Sequence, residues 1–446
     1  MHNKTLHLIS LGCTKNLVDS EVMLGALKDY QVIDDHTQAD VIIVNTCGFI
    51  QSAKEESIST ILQVAQEKKK GALIVASGCL TQRYKDELKA LIPEIDIITG
   101  VGDYDKINTI IESQKDLFSD QVFLAKEQKR IITGSNIHAY IKISEGCNQQ
   151  CSFCAIPSFK GKLQSKPIKT ILQEIENLSK QGYQDFTFIA QDSSSFLRDT
   201  GDNQGLIHLI KAIDQQALAK TARILYLYPS TTSIELIDTI EQSSIFQNYF
   251  DMPIQHISDT MLKKMKRGAN QKRHIELLEK MRKVKNSFVR STIIVGHPDE
   301  SEEEFQELRD FLTNFVFDRL NIFAFSSEEG TLANQMHNKI PTKIINQRIK
   351  ILNQIIQKQQ KEILKSMVGK TYDAILEGKS QISDYFYSAR LKSWAMDIDG
   401  EILINDSQLE DLNLKAGYYR ICISDLKNKM LFAKALERLP IGESKS

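Results

Sequence analysis

Three short apolar runs in the first hundred residues each stop at a cysteine, and no other feature of the 446-residue chain constrains its fold so strongly. Residues 6–11 precede Gly12-Cys13, residues 41–44 precede Asn45-Thr46-Cys47, and residues 73–76 precede Ser77-Gly78-Cys79. Runs this short and this continuously apolar read as buried parallel strands. The segments between them have helical periodicity, with Ile58, Ile61, Leu62 and Ala65 on one face, so the pattern is β-α-β-α-β with cysteines 34 and 32 residues apart. A doubly wound parallel sheet follows. Parallel strands share one carboxyl edge, where ligands bind in such sheets. Cys13, Cys47 and Cys79 should therefore converge although they are far apart in sequence.

A polar stretch over 127–136 reads as a linker, and a second strand series begins beyond it. Candidate strands cover 139–143, 185–190, 223–227, 249–254, 290–295 and 319–325, with amphipathic segments such as 170–181, 206–215 and 303–315 between them. Six β-α units, with no sign of two more, predict an incomplete TIM-like (β/α)6 barrel whose active face is the carboxyl edge. A long helix is expected over 342–366, and then the pattern changes to short alternating runs at 371–376, 401–404 and 418–423. These suggest a small β-barrel of the oligonucleotide-fold class. The expected domains are 1–126, 134–366 and 367–446, an α/β architecture with a small terminal barrel.

Charge restricts what such a chain can bind. Lys and Arg total 56 against 57 Asp and Glu, so no global field draws the protein to nucleic acid or to an anionic membrane. In residues 370–446 the balance is 11 against 12, without the basic excess of a domain built on RNA backbone. No apolar run approaches the 18 residues of a spanning helix, and the first ten residues lack a signal peptide's basic start, so the cytoplasm is expected and no membrane partner. Seven cysteines in a reducing compartment point to metal binding or catalysis rather than disulfides.

The densest group is Cys147-Asn-Gln-Gln-Cys151-Ser-Phe-Cys154, directly after the first strand of the second series. Three thiolates in so short a span suit a cubane iron-sulphur cluster with one iron left open to an exogenous ligand. Zinc is the alternative, although zinc ribbons use paired Cys-x2-Cys modules and no second pair stands nearby.

The spacing Cys147-x3-Cys151-x2-Cys154, with Phe153 before the last cysteine, resembles the signature of radical S-adenosylmethionine enzymes. With the N-terminal cysteines and the terminal barrel, of the TRAM type, the whole chain is similar to the methylthiotransferases of that family. The resemblance implies two [4Fe-4S] clusters. Cys147, Cys151 and Cys154 would hold the catalytic one that cleaves S-adenosylmethionine, and Cys13, Cys47 and Cys79 an auxiliary one. Ser10-Leu-Gly-Cys-Thr-Lys-Asn-Leu-Val-Asp-Ser-Glu21, Asn45-Thr-Cys-Gly-Phe-Ile50, Ile189-Ala-Gln-Asp192, Tyr226-Leu-Tyr-Pro229 and Pro253-Ile-Gln-His-Ile-Ser-Asp259 look like the branch that modifies a ribosomal protein rather than transfer RNA. The implied reaction is methylthiolation of the β-carbon of an aspartate in small-subunit ribosomal protein twelve, free or in the ribosome. It consumes two S-adenosylmethionine, one cleaved to a 5'-deoxyadenosyl radical and one as methyl donor. A radical is apt because acid-base chemistry cannot easily ionise that carbon-hydrogen bond. A reducing electron donor and a sulphur donor are implied partners; direct RNA contact is not required. The alternatives are a transfer-RNA adenosine methylthiotransferase and a non-catalytic iron-sulphur or zinc module that binds ribosomes or RNA.

Further candidates end strands at the expected active edge. Gln191, Asp192, Gln255 and His256 are placed to meet the cosubstrate, though His256 also suits a hydrogen-bonded core position. Phe153 would pack against adenine or cover the cluster from water. Gly296 permits close backbone approach to a ligand, or simply a turn after a strand. Gly296-His-Pro-Asp-Glu300 departs from the Gly-Phe-Pro-Gly-Glu of many relatives, and Gln149 and Gln150 stand where basic residues are common. The four lysines of 160–169 would meet an acidic target or ribosomal RNA, or form a solvated loop. Cys422 reads as a small packed residue.

Overall fold

The computed structural model describes residues 4–125, 130–409 and 414–440. The three apolar runs are strands β1 (Thr5–Ser10), β3 (Val41–Thr46) and β4 (Leu73–Gly78), flanked by short β2 (Gln31–Val32) and β5 (Ile97–Ile98). Their order is β2-β1-β3-β4-β5 with every pair parallel, as expected of a doubly wound sheet. The winding reverses between β1 and β3, and a crevice opens at the carboxyl ends of strands at such a switch point. Helices α1 (Thr14–Ala26), α2 (Gln51–Glu67) and α3 (Cys79–Arg83) leave from those ends. On α2 the buried stripe is Ser57, Ile61 and Val64, while Leu62 is 38% exposed, so the face expected from Leu62 is rotated toward Val64.

The second series begins with β6 (His138–Lys142), followed by an antiparallel pair β7 (Ser144–Glu145) and β8 (Gln164–Ser165) that ties the base of the cysteine loop. β9 (Asp185–Ile189) and β10 (Thr221–Ile224) join β6 in one parallel sheet; β11 (Tyr249–Asp251), β12 (Phe288–Val295) and β13 (Arg319–Ala324) form another. All six expected strands are present, those at 223–227 and 249–254 ending early. A bridge from Ala222 to Phe246 links the two halves, and β6 and β13 remain edges, so the (β/α)6 barrel is incomplete as expected. Residues 127–129 of the expected linker lie outside the described residues.

The terminal unit is a closed barrel of β14 (Thr371–Lys379), β15 (Tyr387–Leu391), β16 (Ile402–Ser407), β17 (Gly417–Lys427) and β18 (Met430–Arg438), in the order β14-β15-β16-β18-β17. β15 and β18 are additional to the expected runs. Met430–Arg438 is rich in good helix formers, and burial of Leu431, Ala433 and Ala435 in alternation overrides that propensity.

This small barrel seals the amino edge of the large one. Arg390 on β15 donates to the carboxylate of Asp185, the first residue of β9, at 2.5 Å, and Arg223 donates to both oxygens of the same group at 2.8 Å. Tyr418 meets Thr221 at 2.8 Å, Trp394 packs on Phe288, and Arg319 donates to the Asp399 carbonyl at 2.8 Å. Thr221, Phe288 and Arg319 each begin a strand, so the opposite, carboxyl edge is left open. Among the described residues no helix is long and apolar enough to cross a membrane.

Burial alone would raise the Asp185 pKa, but Arg223 and Arg390 outweigh it and hold the carboxyl far below its ordinary value. A depressed carboxylate stabilises the fold above its unfolded pKa, about 3.9, and that contribution is lost as the pH falls. Asp185→Asn is therefore expected to cost about 3–5 kcal/mol at neutral pH by leaving the Arg223 guanidinium buried without a counter-charge, while Arg390 keeps Glu377. Melting of wild type and variant from pH 7 to pH 3 should show the gap narrowing in acid.

Candidate active site

The loops leaving β1, β3 and β4 interlock. Gly12 has φ +85°, and a Cβ built there would lie 2.6 Å from Cβ and 2.7 Å from Sγ of Cys47, so this turn admits only glycine. A Cβ on Gly48 would lie 2.7 Å from Cα of Leu80, beside Cys79. Asn16, buried on α1, donates from Nδ2 to the carbonyls of Leu11 at 3.1 Å and Thr46 at 2.9 Å, and its Oδ1 lies 3.7 Å from Sγ of Cys79. Ser57 accepts from the N–H of Cys47 at 3.0 Å and donates to its carbonyl at 2.9 Å. The three thiols are within electrostatic reach of one another, and burial pushes Cys47 up to about 11 and Cys79 to about 12.

The second thiol group forms at the mouth of the large barrel. Cys147 N–H donates to the Gly161 carbonyl and Cys154 N–H to the Cys151 carbonyl, each at 3.1 Å. Sγ of Cys151 accepts from Nη1 of Arg267 at 3.1 Å and lies 3.4 Å from the Tyr228 hydroxyl; the guanidinium also covers the Tyr228 ring at 4.2 Å. Burial pushes both Cys147 and Cys154 up to about 12. Between the cysteines, Ser152 is pinned by its N–H on the Met265 carbonyl at 3.1 Å and its hydroxyl on Nε2 of His297 at 3.0 Å. Cys422, mid-strand on β17, belongs to neither group.

The remaining candidates take different places. Asp192 is saturated, accepting from Ser194 at 2.7 Å, from Ser195 and, at 2.8 Å, from Nε2 of Gln149, which ties the cysteine loop to the end of β9. Gln191 donates to Glu145 and leaves its own buried Oε1 without a partner, as does Gln255 at φ +69°. Phe153 meets His297 edge-on at 6.5 Å. His256 is fully buried; its Nδ1 accepts from Ser258 N–H at 3.0 Å and its Nε2 faces Glu300 at 3.3 Å, the setting of a hydrogen-bonded core histidine. At Gly296, φ +83°, a Cβ would strike the side chain of Ile345 on the helix Thr342–Met367, so helix packing already requires glycine there.

The two thiol groups are brought toward each other by buried charges. Lys142, the last residue of β6, pairs with Asp19 of α1 and, at 2.6 Å, with Glu145, while Lys160 reaches Glu145 at 3.4 Å and Asp19 at 3.5 Å. Lys166 pairs with Glu174 at 2.8 Å. Lys160 and Lys166 are thus buried structural ions, which corrects the reading of 160–169 as a solvated or target-facing lysine loop; only Lys162 and Lys169 are exposed. From α1, Lys15 reaches over the Tyr226 ring at 3.8 Å, and Tyr226 is two residues from the tyrosine on Cys151. Lys15, Asn16, Tyr228 and Arg267 were not among the expected site residues. Lys15 and Asn16 stand in a helix, Arg267 in a basic stretch and Tyr228 in the apolar segment after β10, and only the fold shows what they face.

Among the described residues no three His, Cys, Asp or Glu close on a single-ion site. Thiols held in two groups of three fit iron-sulphur clusters. Desolvated as they are, Cys47, Cys79, Cys147 and Cys154 would keep their protons until metal displaced them.

Residues 141–312 match the Radical SAM superfamily, and residues 5–100 match a family described as Uncharacterized protein family UPF0004. TsrM from Kitasatospora setae, a radical S-adenosylmethionine methyltransferase solved with cobalamin and a [4Fe-4S] cluster bound, shares the fold at 13% identity and TM-score 0.52, over 73% of this chain and 72% of that one. The class is that of radical S-adenosylmethionine enzymes. The ribosomal protein uS12 methylthiotransferase RimO of Helicobacter pylori is 62% identical over 435 residues, 97% of this chain and 98% of that protein. That of Helicobacter hepaticus is 59% identical over 442 residues, 98% and 99%. The chain belongs to the RimO family of methylthiotransferases.

Gly12→Ala should force the Cys47 sulphur from its position and strain a left-handed turn. The expected result is a melting temperature lower by about 2–6 °C and iron uptake after reconstitution reduced by roughly half. Thermal melting and anaerobic iron analysis check both.

Proposed function

We propose that the chain transfers a methylthio group to the β-carbon of an aspartate in ribosomal protein uS12, the small-subunit protein numbered twelve. The observation that carries this is the 62% identity to RimO over 97% of the chain. In this reading Cys147, Cys151 and Cys154 hold the [4Fe-4S] cluster at which S-adenosylmethionine binds, and Cys13, Cys47 and Cys79 hold the second. When bound, these groups supply a 5'-deoxyadenosyl radical that takes hydrogen from the target carbon, and a methylated sulphur that replaces it. A reducing donor and a sulphur source are required partners, and the cytoplasm, where ribosomes are, is the compartment.

The chain's own residues set the conditions. Arg267, 3% exposed, and the Tyr228 hydroxyl both face Sγ of Cys151, and donors to a cluster sulphur stabilise the added electron. Gln149 and Ser152 fix the loop through Asp192 and His297, so the three thiols are presented in one arrangement. Burial lowers the His297 pKa and keeps the ring neutral, with Nδ1 donating to the Pro298 carbonyl at 2.9 Å and Nε2 free to accept from Ser152. Of the candidates for cosubstrate contact, Gln191 and Gln255 keep a buried Oε1 without a partner and Phe153 is half-buried beside His297, whereas Asp192, His256 and Gly296 are already engaged in the fold.

Purified, reconstituted enzyme should methylthiolate uS12 and leave transfer RNA unmodified, as read by mass spectrometry; the reverse would favour the RNA-modifying reading. Cys151→Ala should abolish 5'-deoxyadenosine formation, whereas Cys47→Ala should still form it without transferring a methylthio group. Arg267→Gln should move the midpoint potential of the cluster at Cys151 to a more negative value, measured by redox titration followed by electron paramagnetic resonance.

A further inference from the structure

Among the described residues Lys15 has no direct counter-ion: burial disfavours its charge, and Tyr226, Cys13, Glu145 and Asp251 outweigh burial from a distance. It stands in the first turn of α1, at the positive end of the helix dipole, and that turn contains no acid. Its ammonium lies at the junction of the first sheet and the barrel mouth, 3.8 Å over the Tyr226 ring. Among the described residues no carboxylate comes within the 4.0 Å of an ion pair. The two acids nearest in its field are engaged elsewhere. Glu145 is held by Lys142, Lys160 and Gln191, and Asp251 by Arg290 and by the N–H of Tyr226, each at 3.0 Å. The fully buried lysines of this region, Lys142, Lys160 and Lys166, all have acidic partners within 3.5 Å. Lys15 is half-buried and has no direct acidic partner among the described residues, so an incoming anion gains a charge-assisted hydrogen bond there without displacing another acid.

The position of that ammonium selects the anion. Lys15 is two residues from Cys13, and Tyr226 beneath it is two residues from Tyr228, whose hydroxyl meets Sγ of Cys151. A carboxylate on Lys15 would lie between the two thiol groups. In an aspartate side chain the β-carbon is bonded directly to the carboxylate carbon, so anchoring one places the other. We propose that Lys15 is the specificity-determining residue for the target and binds the side-chain carboxylate of the aspartate whose β-carbon is modified. This rests on uS12 as the substrate. The backbone of Tyr226, at φ +64° with its N–H held by Asp251, fixes the ring that carries the ammonium.

The test uses reconstituted wild type, Lys15→Met and Lys15→Arg with uS12 bearing either Asp or Asn at the modified position. For Lys15→Met, affinity for the Asp target should fall about 10- to 100-fold. Wild type should lose a similar factor on the Asn target, with no further loss in Lys15→Met, and Lys15→Arg should recover most of the Asp affinity. The proposal is overturned if Lys15→Met binds the Asp target as tightly as wild type, if the two losses simply add, or if affinity for S-adenosylmethionine falls instead. The last result would assign the ammonium to the cosubstrate carboxylate. Wild type that fails to modify the Asp target defeats the underlying substrate reading, and that is seen in wild type alone.

Discussion

The buried ammonium of Lys142 decides how the two halves of the active edge meet. It ends the first strand of the large barrel and pairs with Asp19 of α1 and with Glu145, all three side chains no more than 1% exposed. Ions this deeply buried cost several kcal/mol each unless every charge is matched. A docking register that left Asp19 or Lys142 alone is therefore strongly disfavoured, and the network specifies one orientation more than it adds stability. Two further clusters repeat the constraint. Glu21 receives Arg130 at 2.7 Å; Glu328 receives Lys54 at 3.0 Å and Arg83 at 3.1 Å, and Arg83 also donates to the Gly48 carbonyl beside Cys47.

At the opposite edge, Arg390, Trp394 and Tyr418 close the amino end of the barrel, so chemistry is confined to the carboxyl end. The terminal barrel spends its most buried arginine inward, on Asp185 and Glu377, rather than on a nucleic-acid face. Its near-balanced charge thus has a structural counterpart. Any grip on a target from this unit is exerted from its outer surface, since its inner contacts belong to the large barrel.

Much of this was legible in the residues. Continuous apolar runs ending in cysteine gave β1, β3 and β4 with their thiols, because parallel strands buried on both faces need no alternation. The spacing of Cys147, Cys151 and Cys154 likewise marks a local loop. What stayed hidden depends on contacts between distant segments. Lys160 and Lys166 look like surface charges until Asp19, Glu145 and Glu174 are seen beside them. Arg267 lies in a basic stretch with no local pattern to separate it from its exposed neighbours Lys263 and Lys266, and only tertiary folding sets it on Cys151. Gly296 illustrates the converse: a glycine after a strand suggests a ligand, and the side chain of Ile345 supplies a packing reason.

In the proposed reading the two thiol groups form one reaction site across the junction spanned by Lys15 and Tyr226. Anomalous diffraction at the iron edge from crystals of the anaerobically reconstituted chain tests it most directly. The expected map has two four-iron peaks, one within bonding distance of Cys13, Cys47 and Cys79 and one of Cys147, Cys151 and Cys154, facing each other across that junction. A single peak, or a second one away from the N-terminal thiols, would contradict it.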